Sequence, residues 1–134
     1  MTTPRRWSPP DVAPPIGRYS HLAAVPGDSE LVFISGQVGA GADAYVQTRE
    51  ALLGIAALLD TLGEGPHSLV KLLTFVAGPE HLAGFYRARD LLFDAWFPDG
   101  DVPAHSLAVV AALARPHLLV EIEGVAVRGK GGRQ

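Results

Sequence analysis

Residues 68–113, SLVKLLTFVAGPEHLAGFYRARDLLFDAWFPDGDVPAHSLAVVAAL, decide the fold. Their first part, 68–76, reads as a β-strand in which Lys71 shares its pleat parity with Leu69, Leu73 and Phe75. Pro79 then suits the first turn of a helix, and Leu82, Tyr86, Arg89, Phe93 and Trp96 follow at i+3 and i+4 steps. That helix stops near Phe97, before Pro98-Asp99-Gly100, and an apolar run from His105 reads as the next strand. Strand, helix and strand in this order make a crossover unit.

Upstream, Leu52, Ile55, Ala56, Leu59 and Leu62 recur at helical spacing, so 44–62 is predicted to be an amphipathic helix stopped by Gly63. Before it, 19–25 and 31–38 read as a hairpin around Pro26-Gly27-Asp28-Ser29. Downstream, Ala114-Arg115-Pro116 predicts a second hairpin, between 105–113 and 117–127. The predicted order is β-β-α-β-α-β-β, an α+β fold. Residues 1–15, with five prolines, read as an extended N-terminal arm, 16–128 as a single domain and 129–134 as a flexible tail.

Crossovers in one sheet are right-handed in about 98% of cases, which places both helices on one face of a mixed sheet. The strands are nonetheless apolar on both parities, as at Val109 and Val110 or Leu119 and Val120. A bare apolar face of that size predicts a homo-oligomer packed through the sheet.

Composition narrows the function classes. The 134 residues are 48% hydrophobic and 19% charged, with a mean hydropathy of +0.19, which excludes intrinsic disorder. Cysteine is absent, so disulfides, thiolate metal sites and cysteine nucleophiles are excluded. The N-terminus lacks the apolar segment of a secretory signal, and the longest stretch without Asp, Glu, Lys or Arg, 102–114, is too short to span a bilayer. A cytoplasmic protein without a membrane partner is expected. Between residues 7 and 127, six bases face fourteen acids, a net of −8, which argues against a nucleic-acid partner.

Few motifs carry chemistry. Gly39-Ala40-Gly41-Ala42-Asp43-Ala44 fits G-x-G-x-x-A between a strand and a helix, yet 75–78 carries no acid to hold a ribose, so the segment reads as a loop and no cofactor is expected. The histidines show no metal-ligand spacing, and no metal is expected. Ser35 lies in Ile-Ser-Gly-Gln, which is not a hydrolase elbow. His105 stands out because the predicted hairpin would set it opposite Glu121 or Glu123.

Six blocks, 16–20 (IGRYS), 32–37 (VFISGQ), Gln47-Thr48, Leu69-Val70-Lys71, 103–106 (PAHS) and 120–126 (VEIEGVA), together resemble the RidA/YjgF/UK114 family, also known as endoribonuclease L-PSP. The resemblance implies a chorismate-mutase-like fold and a homotrimer with three intersubunit clefts. It also implies hydrolysis of reactive 2-enamines and 2-imines to 2-keto acids and ammonia. By matching motif, Tyr19, Ser35, Gly36 and Lys71 would bind substrate and Glu121 would handle the water.

Three positions depart from the family pattern. His105 stands where the family has the arginine that clamps the substrate carboxylate, Leu107 replaces a Cys, Ser or Thr, and Asp90 replaces an asparagine. Histidine lacks the bidentate fork of a guanidinium and is mostly neutral near pH 7, which predicts weak deamination of anionic substrates. Two alternatives stay open: acid/base chemistry by His105 and Glu121 on an uncharged imine or carbonyl compound, and a non-catalytic ligand-binding or chaperone-like trimer.

Overall fold

A computed structural model describes residues 2–130. Four strands form the main sheet: β3 (Ser29–Gln37), β4 (Leu69–Ala77), β5 (Ala104–Val110) and β6 (Val120–Gly129), in the order β3-β6-β4-β5. β6 is antiparallel to both β3 and β4, and β5 runs parallel to β4, so the sheet is mixed. Helices α1 (Ala44–Asp60) and α2 (Leu82–Trp96) pack against each other, and their apolar stripes, including Leu52, Ile55, Leu59, Phe85 and Phe93, form one core with Ile34, Leu72, Val76, Val120 and Ile122 of the sheet. Asp43, in the glycine-rich segment and directly before α1, caps the helix by accepting a hydrogen bond from the Val46 N–H at 2.9 Å.

The opposite face of the sheet has no helical cover. It presents Leu31 and Phe33 of β3, Glu123 and Val125 of β6, and Lys71, Leu73 and Phe75 of β4, and Phe33 is 74% exposed. An irregularity between Leu69 and Lys71 moves Leu69 off this face into the core, so Lys71 keeps the parity of Leu73 and Phe75 only.

Both predicted hairpins are overturned. The segment 117–127 does not fold back on β5; β6 inserts between β3 and β4, and β5 is left as an edge strand. Burial explains the choice: Val120, Ile122, Gly124, Ala126 and Val127 are buried, whereas no residue of β5 is. β6 turns Val120, Ile122 and Ala126 into the core from one parity, and it takes the central slot. The linker that carries the chain there is fixed by Gln47, whose buried side-chain amide donates to the carbonyls of Gly41 and His117 at 3.0 Å and accepts from the Leu119 N–H at 2.8 Å.

At the other end, β2 (Leu22–Ala24) pairs with β1 (Arg5–Trp7), not with β3. Ser20 is tied to the loop before β5, its N–H to the Pro103 carbonyl and its hydroxyl to that of Val102, and this draws 16–20 toward the β5 edge. The N-terminal segment is anchored by Arg6, whose buried guanidinium donates to the carbonyls of His67 and Leu69 and pairs with Asp101 at 3.2 Å. β6 continues through Gly129, in register with Ser29; the remainder of the expected tail, 131–134, lies outside the described residues.

Candidate functional site

A cleft of about 500 Å³ opens at the β5 edge, within the size range of small-molecule sites. Its walls are β5 (His105, Leu107), α2 (Phe85, Tyr86, Arg89) and the 16–19 segment with Arg18 and Tyr19. The Tyr19 hydroxyl accepts a hydrogen bond from the Ile16 N–H at 3.3 Å, which ties the turn that roofs the cleft.

His105 points toward the helices. Its Nε2 shares a hydrogen bond of 2.8 Å with the buried Thr74 hydroxyl, and the Phe85 and Phe93 rings flank it at 6.2 and 6.3 Å. Burial, with Arg89 and Lys71 adding charge repulsion, pulls the imidazole down to about 4. It is neutral at pH 7, and its buried Nδ1 has no hydrogen-bond partner among the described residues.

The residues singled out in the sequence fall into two groups. Tyr19, His105 and Leu107 line the cleft. Ser35 and Gly36 lie on β3, at the opposite edge of the sheet, and Glu121 reaches them from the neighbouring β6. A Cβ added at Gly36 would collide with the Glu121 carboxylate, so glycine is what lets that carboxylate lie against the strand. Because β5 pairs with β4 alone, the expected register of His105 against Glu121 or Glu123 is wrong: His105 lies opposite Leu72, and Glu121 opposite Phe75 on the uncovered face. His105 and Glu121 therefore form no pair within one chain. Lys71 sits on the uncovered face in register with Ala104 and Val125, two rows from Glu121.

Asp90 sits behind the cleft. Its carboxylate accepts from Arg89 Nε at 3.0 Å and from Arg18 at 3.5 Å, and Arg18 also pairs with Asp94 at 2.6 Å. Arg18 and Arg89 are thus site residues that the sequence reading passed over. The signal for Arg89 was present, since it is the one cation among the apolar steps of α2; Arg18 lay inside a quoted block without a role.

No group of three His, Asp or Glu among the described residues is arranged to hold a metal ion. No helix among them is long and apolar enough to cross a membrane.

The family described as Endoribonuclease L-PSP matches residues 10–128 of the chain. Among solved structures, a protein of unknown function of the conserved Rid family from Yersinia pestis is 28% identical, with a TM-score of 0.79 over 95% of this chain and 100% of that one. A protein of unknown function from Pseudomonas aeruginosa is 30% identical, with a TM-score of 0.65 over 97% and 95%. A member of the YjgF/YER057c/UK114 family from Mycobacterium tuberculosis is 26% identical, with a TM-score of 0.64 over 94% and 100%. No curated protein matches the sequence.

Proposed function

The chain belongs to the endoribonuclease L-PSP family, the Rid/YjgF/UK114 family of its solved relatives, and from that premise we propose that it acts as a homotrimer binding a small molecule in clefts between subunits. One observation carries this reading. The motif positions are divided between the two edges of one sheet, with the retained Tyr19 and the substituted His105 at β5, and the retained Ser35 and Gly36 on β3 with Glu121 reaching them from β6. Three sheets meeting edge to edge around an axis would set the β5 cleft of each chain against the β3 edge of the next, and would bury the apolar face that carries Phe33.

Binding ranks ahead of acid/base chemistry by His105. A group held down to about 4 has almost no proton to donate near neutrality and is a weak base, so it serves as a neutral hydrogen-bonding wall of the cleft. Hydrolysis of 2-imines and 2-enamines by the family route is the second reading, favoured by the retained Glu121 and Gly36. The acidic body argues against RNA as the ligand.

The test combines assembly with turnover. Light scattering is expected to give the mass of three 14.1 kDa chains, and imines generated in place from several amino acids are assayed for ammonia release by wild type and Glu121→Ala. A concentration-independent mass of one chain would sink the intersubunit cleft. Ammonia release lost in Glu121→Ala would promote the second reading over simple binding.

A further inference from the structure

We propose that the anion receptor of the cleft is Arg89 on α2 and that it selects a planar carboxylate, for which benzoate is the probe; this rests on the reading that the cleft takes a small molecule.

Four observations support the assignment. Arg89 lines the cleft with a side chain only 12% exposed, while the acids that balance it lie outside the lining: Asp90 is 48% and Asp94 73% exposed. The cations thus face a partly desolvated space and the carboxylates face solvent, which leaves the cleft interior positive. Arg89 is also aimed and still has capacity. Its Nε is bound to Asp90, and among the described residues neither Nη makes a hydrogen bond, so the far edge of the guanidinium keeps the paired donors that match a carboxylate.

The walls then limit the body of the ligand. The Arg89 guanidinium lies 5.0 Å from the Tyr86 ring centre and 5.6 Å from that of Phe85, and the Tyr19 ring lines the same space. A positive fork set among aromatic rings favours a planar, conjugated body over a branched one. Finally, Arg89 depresses the protonation of His105, which is the behaviour of a cation whose field reaches the cleft wall. Arg18 is the outer cation, already engaged by Asp90 and Asp94.

The full chain is titrated with benzoate and with benzamide, its neutral counterpart, by calorimetry or by chemical-shift perturbation. Benzoate is expected to bind at least tenfold more tightly than benzamide. Arg89→Gln should weaken benzoate at least tenfold and benzamide by less than twofold, Arg89→Lys should restore part of the loss, and Arg18→Gln should cost less than Arg89→Gln. Affinity should not change as pH rises through 6–7, because His105, the imidazole in the cleft wall, is held down to about 4 and is already neutral there. Equal binding of the two probes, benzoate binding untouched by Arg89→Gln, a loss of affinity on raising pH through 6–7, or no benzoate binding by a folded protein would each overturn the assignment. A monomer that still binds benzoate through Arg89 would break the trimeric reading and leave this one standing; a trimer whose benzoate binding depends on Arg18 alone would do the reverse.

Discussion

The two edges of the main sheet differ in a way that organises the molecule. At β5 the edge is roofed by α2 and the 16–19 segment, and the space beneath holds two guanidiniums, a neutral imidazole and aromatic rings. At β3 the edge is open, and its functional groups, Ser35, Gly36 and the Glu121 carboxylate, have no roof of their own. One edge has a cavity with no general base in it, and the other has a carboxylate with no cavity. The difference teaches that neither edge is a complete site by itself; in the proposed trimer the exposed Phe33 beside the open edge would meet the neighbouring chain.

Phe33→Asp should break the comparison most completely, turning a trimer into monomers of 14.1 kDa by light scattering, because the charge would be buried at the interface. Leu91→Asp, at a site 52% exposed on α2, sharpens it by leaving the mass unchanged and the stability within about 0.5 kcal/mol. Two exposed apolar residues on different faces of the molecule would then respond differently to the same charge.

Gln47→Ala attacks what separates the edges, the linker that carries the chain from β5 to the slot beside β3. The variant leaves two carbonyls and one N–H without their partner, which should lower unfolding free energy by about 3–4 kcal/mol in urea titrations. The pH dependence of the closed edge follows from His105. The unfolded chain takes up the proton near 6.5 and the folded chain only near 4, so stability falls as pH drops through that window, by roughly 3 kcal/mol when complete, and none of the loss is present at pH 7. Comparing wild type with His105→Gln between pH 7 and 4 should show the slope in the first and its absence in the second. Smallest is the rim of the open edge: Arg128→Ala removes a pair with the half-exposed Glu30, 2.8 Å at Nε, and should cost less than about 1 kcal/mol.

The sequence revealed the elements more fully than their neighbours. Periodicity located α1 and α2 to within about three residues, since a stripe such as Leu52, Ile55 and Leu59 is a local property of the chain. The uncovered face also followed, because handedness restricts crossovers wherever they occur. Strand pairing did not follow. Val109 and Val110, or Leu119 and Val120, are apolar on both parities, so alternation carries no register, and the short Ala114-Arg115-Pro116 turn favoured a local hairpin over an insertion between two distant strands. The site inherited that error at His105 and Glu121. Arg89 was visible as a step of the α2 stripe, but its role depends on Asp90 holding one side of the guanidinium while the other faces the cleft, and that is a tertiary fact.

The central claim, that the β5 edge of one chain meets the β3 edge of another, is tested most directly by cross-linking. The chain has no cysteine, so Ser35→Cys and Ser106→Cys together supply the only thiols, one at each edge. Three strand spacings, about 14 Å, separate the edges within a chain, beyond the reach of a bismaleimide about 8 Å long. The account predicts covalent dimers and trimers and a ladder that ends at three chains, with no trimer from either single variant. Uncross-linked single chains, or a ladder that runs past three, would contradict it.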